Sequence, residues 1–331
     1  MPRMLCVLIT VDTESYASGS PDAQIWGRGK DGQEYGIRRI MDTLELHGAR
    51  GTFYVNVYES GRHGDEALRE VIRAIHERGH DVELHTHPRD LYGIDKLTRA
   101  DLPRQREILA WGKAFIERET GQSVVAHRAG AFAANGKTIT ALHDLGIPVD
   151  ASLSSAWQEC HLSKEVESPN RPFMLNGVLE LPATHYVQAR LGARRLLRML
   201  DIQASSLREL ESVVRQAVAQ QVSAINVLVH SHSFIRDGRG DERLFKRLDR
   251  FLAFLAQKSE VQAVTTRAFH ARHGAEFATA TETTAFEPYT GWWLAYLRTV
   301  ESMGQGWQAT LAALAPPLAL AAAGLMAYVL L

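Results

Sequence analysis

The chain has 331 residues, 45% of them hydrophobic and 23% charged, with 37 Lys+Arg against 38 Asp+Glu and a formal net charge of −1. Enough apolar residues are present to bury a core, which excludes global disorder, and the near-neutral charge leaves no electrostatic footprint for nucleic acid. Two cysteines, Cys6 and Cys160, are too few for a disulfide framework or a Cys-rich zinc module, so any metal falls to the 14 histidines and the carboxylates.

In chain order, the apolar run Leu5-Cys6-Val7-Leu8-Ile9 is too short for a secretory signal and predicts a buried first strand that runs into Thr10, Asp12 and Glu14. Ile37, Ile40, Met41 and Leu44 follow helical spacing up to a stop at Gly48, and Thr52 to Val55 read as a second strand. Leu68, Val71, Ile72 and Ile75 mark a helix closed by Gly79, after which Asp81 to Leu84 form a short strand that delivers His85. A helix through Ile108, Trp111 and Phe115 precedes a strand at Val124-Val125, followed by His127-Arg128. The next helix spans Lys137 to Leu145, with Gly146 as its stop. Val178 to Leu181 is a strand, Leu207 to Val218 a helix, and Ile225 to Val229 an apolar strand ending at His230. A helix through Leu244, Leu248, Phe251 and Leu255 and a strand from Val261 to Val264 complete the alternation. Repeated strand–helix units of this kind predict a parallel α/β fold, with a (β/α) barrel as the leading form.

The end of the chain differs. Residues 309–331 carry no charge, and these 23 residues compare with roughly 20 needed to cross a bilayer core. Trp292, Trp293, Tyr296 and Trp307 lie just upstream, as an interfacial aromatic belt would. The expected organisation is a barrel over 1–275, a linker and aromatic juxtamembrane segment over 276–308, and a membrane-embedded helix over 309–331. Gly27-Arg28-Gly29-Lys30-Asp31-Gly32 fits a dinucleotide-binding pattern, but no strand precedes it, and that reading is set aside. The arginines 190, 194, 195 and 198 read as a solvated helix face that, on a tethered protein, could meet anionic lipid.

In a (β/α) barrel, chemistry sits at the C-terminal ends of the strands. Four strands here end in groups that bind metals or move protons: Asp12 and Glu14, His85 and His87, His127 with Arg128, and His230. Two imidazoles at i and i+2 share a face of an extended segment, so His85 and His87 can reach one ion. A carboxylate from Asp12 or Glu14 completes a two-histidine, one-carboxylate set with open positions, the layout of a catalytic site.

The ordered blocks Thr-Val-Asp-Thr-Glu (10–14), Gly-His-Asp-Val-Glu-Leu-His-Thr-His-Pro (79–88), His-Arg-Ala-Gly (127–130), Asp-Ala-Ser (150–152), Glu-Leu-Pro (180–182) and Leu-Val-His-Ser (228–231) resemble the NodB-homology polysaccharide deacetylases. The resemblance implies a distorted (β/α)7 barrel with a divalent metal, usually zinc, and hydrolysis of an N-acyl group on a sugar, a reaction at a C–N bond other than a peptide bond. By position it implies Asp12 as general base, Arg128 as its orienting partner and His230 as the acid for the departing amine. It implies His85 as a metal ligand and Leu228 as part of the acyl pocket; Asp150 is expected to contact substrate, and His127 either contacts substrate or packs within the fold. Two departures stand out. Thr13 occupies the place of a second aspartate, so Glu14 becomes the expected ligand, with Asp12 as the alternative. Arg89 occupies the place of the second histidine, which passes to His87.

The expected activity is removal of an acetyl group from an amino sugar carried on a lipid or nucleotide in envelope polysaccharide assembly. The expected location is membrane-associated, with the barrel facing the cytoplasm and the protein not secreted. The competing readings are a metal-independent C–N hydrolase of the allantoinase-like branch and a catalytically inactive glycan-binding barrel.

Overall fold

The computed structural model describes residues 4–15, 19–236, 238–279 and 284–301. Eight parallel strands form a curled sheet: β1 (Leu5–Thr13), β2 (Thr52–Asn56), β3 (Asp81–Thr86), β4 (Ala126–Ala129), β5 (Val149–Asp150), β6 (Val178–Glu180), β7 (Ala224–His230) and β8 (Val261–Val264). Their order is β7-β1-β2-β3-β4-β5-β6, with a short antiparallel strand Phe173–Leu175 on the outer edge of β6. β1 serves three neighbours. Its whole length pairs with β7, its first half with β8, and its second half with β2.

Between β6 and β7 the curl is bridged by single residues instead of a ladder. Leu200 N donates to Thr184 O, Leu228 N to Leu200 O and Ile202 N to Leu228 O, at 2.7–3.0 Å. This distorted barrel is the expected one. Helices cover its outside, among them Ile37–Leu46, Asp65–Glu77, Leu102–Thr120, Gly136–Asp144, Leu207–Ala219 and Glu242–Ala256. Their apolar stripes bury residues such as Leu44, Ile72, Ile108 and Leu248, each contributing about 1.5–3 kcal/mol. Gly79 and Gly146 close two of these helices at φ 74° and 66°, the left-handed conformation that glycine adopts without a Cβ penalty.

Strand alternation divides the interior in two. On β1, Val7, Ile9 and Val11 face the helices, whereas Cys6 and Leu8 join Tyr54, Ala126, Val149 and Leu179 inside the barrel. Helix Thr266–Thr279 closes the lower end, with Phe269 and Phe277 inserted in that inner cluster. It runs into the segment expected to be linker. Above this plug the inward positions turn polar, and there the chemistry begins.

Several expectations shift. β4 lies at Ala126–Ala129 and not at Val124-Val125, so His127 and Arg128 are within the strand. The four arginines lie on or beside a β-hairpin, His185–Leu191 with Arg194–Met199, and not on a helix. Beyond the barrel, helix Gly291–Glu301 docks on that hairpin. No helix among the described residues is long and apolar enough to cross a membrane, and the proposed span 309–331 lies outside them.

Candidate active site

Parallel register brings the strand ends to one level. Asp12 is paired with His230 across β1 and β7, and His85 with Arg128 across β3 and β4. Alternation then selects what faces inward. Asp12, His85 and Arg128 point into the barrel, while Thr13, Thr86 and His127 turn the other way.

Arg128 is wholly buried and braces the site. Its Nη1 donates to Asp12 Oδ1 at 2.5 Å, Nη2 to Thr10 Oγ1 at 3.0 Å and Nε to the Ala151 carbonyl at 3.2 Å. Its Cζ lies 4.2 Å from the Tyr54 ring centroid, so the guanidinium rests on an aromatic face from the inner core. Burial alone would raise the Asp12 carboxyl; the charge of Arg128, aided by His85 and His230, outweighs it and holds Asp12 below the usual carboxylate range. Asp12 is therefore an ionised base with one oxygen tied down.

Glu14, His85 and His87 offer three ligand atoms within 4.8 Å of one another. His85 Nδ1 lies 3.0 Å from the Arg128 carbonyl, which can only accept, so Nδ1 carries the proton and the lone pair sits on Nε2. That Nε2 is buried without a hydrogen bond and lies 3.6 Å from Glu14 Oε2. His87 Nε2 is also buried, 2.9 Å from the same oxygen yet without hydrogen-bond geometry. A buried ring nitrogen facing a carboxylate oxygen calls for a proton or a metal cation between them, and although burial opposes it the Glu14 charge pushes the His87 pKa up. Burial would raise Glu14, but the two imidazoles hold it well below the ordinary value. The donor set of two nitrogens and one carboxylate suits a divalent ion with open positions, so a metal fits these residues.

The surrounding residues fix this triad. His87 N donates to Asn56 Oδ1 at 3.2 Å, and Asn56 Nδ2 donates to Glu59 Oε1 at 3.1 Å. Ser15 N donates to the same Glu59 oxygen at 2.8 Å, which ties the turn after Glu14 to the turn that follows β2. Gly130 packs so closely on His87 that a Cβ there would lie 2.3 Å from the ring.

On the opposite wall, His230 Nε2 lies 3.7 Å from Asp12 Oδ2 and its Nδ1 lies 3.4 Å from Asp201 Oδ2. Burial works against charging this imidazole, but the Asp201 contact and the charge of Asp12 prevail and push its pKa up to about 9. His232, the other histidine of that segment, moves down instead, through burial and the neighbouring His230. A cleft of about 300 Å³, lined by Glu14, Asn56, Arg62, His87, Arg89 and Lys96 among others, opens onto the triad.

Three expected substrate contacts are not brought to this opening. His127 is fully buried on the outer face of β4, with Nδ1 2.7 Å from Asp150 Oδ1 and Nε2 3.0 Å from Thr86 Oγ1. Asp150 is equally buried and also accepts from Ser152. Leu228 has no exposed surface, and its backbone pairs with Leu200 and Ile202. Residues that sequence reasoning passed over are Asp201, Asn56 and Glu59. The strand-end rule that singled out His85 applies equally to Asn56, whereas Asp201 follows an irregular connection and carries no motif.

At the strand ends of the barrel, an inward acid–base pair lies beside three side chains that could hold a cation, an arrangement suited to hydrolysis. Residues 30–149 match the family model for polysaccharide deacetylase. A Mycobacterium smegmatis protein assigned to the polysaccharide deacetylases shares the fold at a TM-score of 0.61 and 20% identity, over 87% of this chain and 96% of its own. The allantoinase PuuE does so at 0.57 and 14% identity, over 85% and 93%. At such identities the likeness is one of fold. No curated protein matches the chain in sequence. Over residues 30–149 the chain thus resembles the polysaccharide deacetylases in sequence, and over most of its length it shares their barrel fold.

Proposed function

We propose that the protein is a zinc-dependent hydrolase that removes an N-acetyl group from an amino sugar carried on a lipid or nucleotide in envelope polysaccharide biosynthesis. The observation that carries this reading is the convergence of two buried imidazole nitrogens on one Glu14 oxygen, beside the braced Asp12 and the raised His230. Glu14, His85 and His87 would hold the metal, which supplies Lewis-acid polarisation of the acyl carbonyl and an acidified water.

The chain's own residues divide the proton work. Asp12, kept ionised by Arg128, accepts a proton from the attacking water. His230, kept protonated by Asp201 and Asp12, donates to the departing amine, which is too basic to leave as an anion. One group lowered and one raised, side by side on adjacent strands, is the usual division between base and acid. The gathering of two nitrogens and a carboxylate within ligand distance of one another favours this reading over metal-independent C–N hydrolysis. The test is acetate release from N-acetylated oligosaccharides by the purified, zinc-loaded chain. Turnover by wild type and none by Asp12→Asn is expected; equal release by the two proteins refutes the reading.

The proposal includes a membrane location, with the barrel on the cytoplasmic side and 309–331 as the anchor. The uncharged length of that segment supports it. Membrane fractionation of the full chain with a protease-protection assay tests both halves of the statement.

A further inference from the structure

Among the described residues, nine large apolar side chains stand well exposed, and five of them gather in one region: Leu191, Leu196, Tyr289, Trp292 and Trp293. Single exposed apolar residues are ordinary, whereas a cluster marks an interaction surface. The region is one built unit. Val187 N donates to Pro288 O at 2.8 Å, Thr290 N donates to Val187 O at 3.1 Å, and Arg298 Nη2 donates to Gln188 Oε1 at 3.0 Å. Helix Gly291–Glu301 is thereby pinned along the hairpin, burying Gly291 and Ala295 and leaving Trp292 and Trp293 at 51% and 67% exposure.

The charge around these residues is one-sided. Arg190 and Arg195 are directly opposed across the hairpin, an arrangement that costs stability through like-charge repulsion, and Arg194 follows on the tip. Glu287 is the carboxylate that pairs with both Arg190 and Arg195. At the far end of the helix, Glu301 enters a groove in which Arg208, Arg243, Lys246, Arg247 and Arg250 face one further carboxylate, Glu242. Cations therefore outnumber carboxylates at both ends of a helix whose exposed start is aromatic. The chain continues from Glu301 for 30 residues, the last 23 of them uncharged.

We propose that the hairpin and helix Gly291–Glu301 form a membrane-docking platform that rests on an anionic phospholipid surface. The tryptophans and leucines enter the interfacial zone and the flanking arginines meet lipid phosphates. Tryptophan favours that zone because its ring is apolar while its N–H is polar, and each basic side chain near an anionic leaflet adds roughly fivefold to partitioning. The platform sets the orientation of the barrel, which a flexible tether alone cannot do. It rests on the exposed surface and not on the assignment of the reaction.

The test uses the full chain carrying a polarity-sensitive dye at Ala193→Cys on the hairpin tip, or at Lys113→Cys on helix Leu102–Thr120 as control. Native Cys6 and Cys160 are buried. With vesicles of phosphatidylcholine and phosphatidylglycerol, the tip dye is expected to shift to the blue and be quenched by brominated lipid, and the control dye is not. Arg190→Gln with Arg194→Gln lowers the quenched fraction by roughly an order of magnitude while the barrel retains its acetate release. A vesicle-bound chain whose tip dye stays as water-exposed as the control overturns the proposal, as does a chain that does not bind. An equal response on pure phosphatidylcholine overturns the anionic assignment.

Discussion

Two histidine–carboxylate pairs in this barrel use the same chemistry for opposite ends. His127 and Asp150 lie on the outer face of the sheet, fully buried, and both ring nitrogens are engaged within the protein. His230 lies at a strand end beside Asp201, where its side chain is 23% exposed and its second nitrogen faces Asp12 at 3.7 Å. The first pair spends its hydrogen-bonding capacity on holding β3, β4 and β5 together. The second holds one nitrogen fixed and leaves the other available for a proton transfer. Residue type therefore does not decide the role; strand parity and access to the cleft do.

The largest separation between the two regions should come from the metal triad and its base. Glu14→Gln, His85→Ala and His87→Ala should each lose most bound zinc by elemental analysis, with activity falling more than the roughly 10–100-fold typical of supporting residues. Asp12→Asn should keep the metal and lose turnover. If Asp12→Asn empties the site while Glu14→Gln stays loaded, the two carboxylates exchange roles. Gly130→Ala belongs with this group, because its new methyl would displace the His87 ring and lower zinc affinity while thermal stability stays close to wild type.

Next in size is His230→Gln, which should lower kcat on the order of 10²–10⁴-fold, the usual share of general acid catalysis, with Tm nearly unchanged. The complementary change, His127→Gln, should leave kcat within about threefold. It should cost about 1–3 kcal/mol of stability and a few degrees of Tm, the effect of disrupting a buried hydrogen bond. A mutant pair with the effects reversed would erase the distinction between the two regions.

A subtler change sharpens the comparison through pH. The acid must be protonated to work, so activity falls as pH rises through its pKa. With His230 raised to about 9, the basic limb of the kcat profile should lie near that value. Asp201→Asn removes the contact that favours the charged imidazole, and the limb should move down toward about 6.5, the unperturbed histidine value. At pH 6 the variant should retain most of its activity and at pH 8.5 little of it. A limb that does not move would show that Asp201 only packs against His230. The smallest expected effect is that of Glu59→Gln, which keeps the shape and changes only the charge beneath the Ser15 turn. A modest rise in zinc Kd, measured by competition with a chelator, is expected.

Much of this was legible in the sequence. Period-2 and period-3.6 patterns located most of the sheet and its covering helices, because burial against a neighbouring layer imposes those periods on any chain that folds this way. Asp12, Glu14, His85, His87, Arg128 and His230 could be singled out because a barrel collects chemistry at strand ends. Other features required the fold. The extent of β4, Ala126–Ala129, places His127 and Arg128 inside the strand, and pairing with β3 and β5 decides that Arg128 points inward and His127 outward, which local pattern does not determine. Asp201 reaches His230 only because Leu200 and Ile202 bridge the opening between β6 and β7, a contact across 29 residues with no periodic trace. The hairpin went unread because its alternation is broken by a bulge and by arginines on both strands. Composition and spacing determined which groups were available for proton and metal chemistry; three-dimensional register and exposure decided which of them meet, since both depend on partners far apart in the chain.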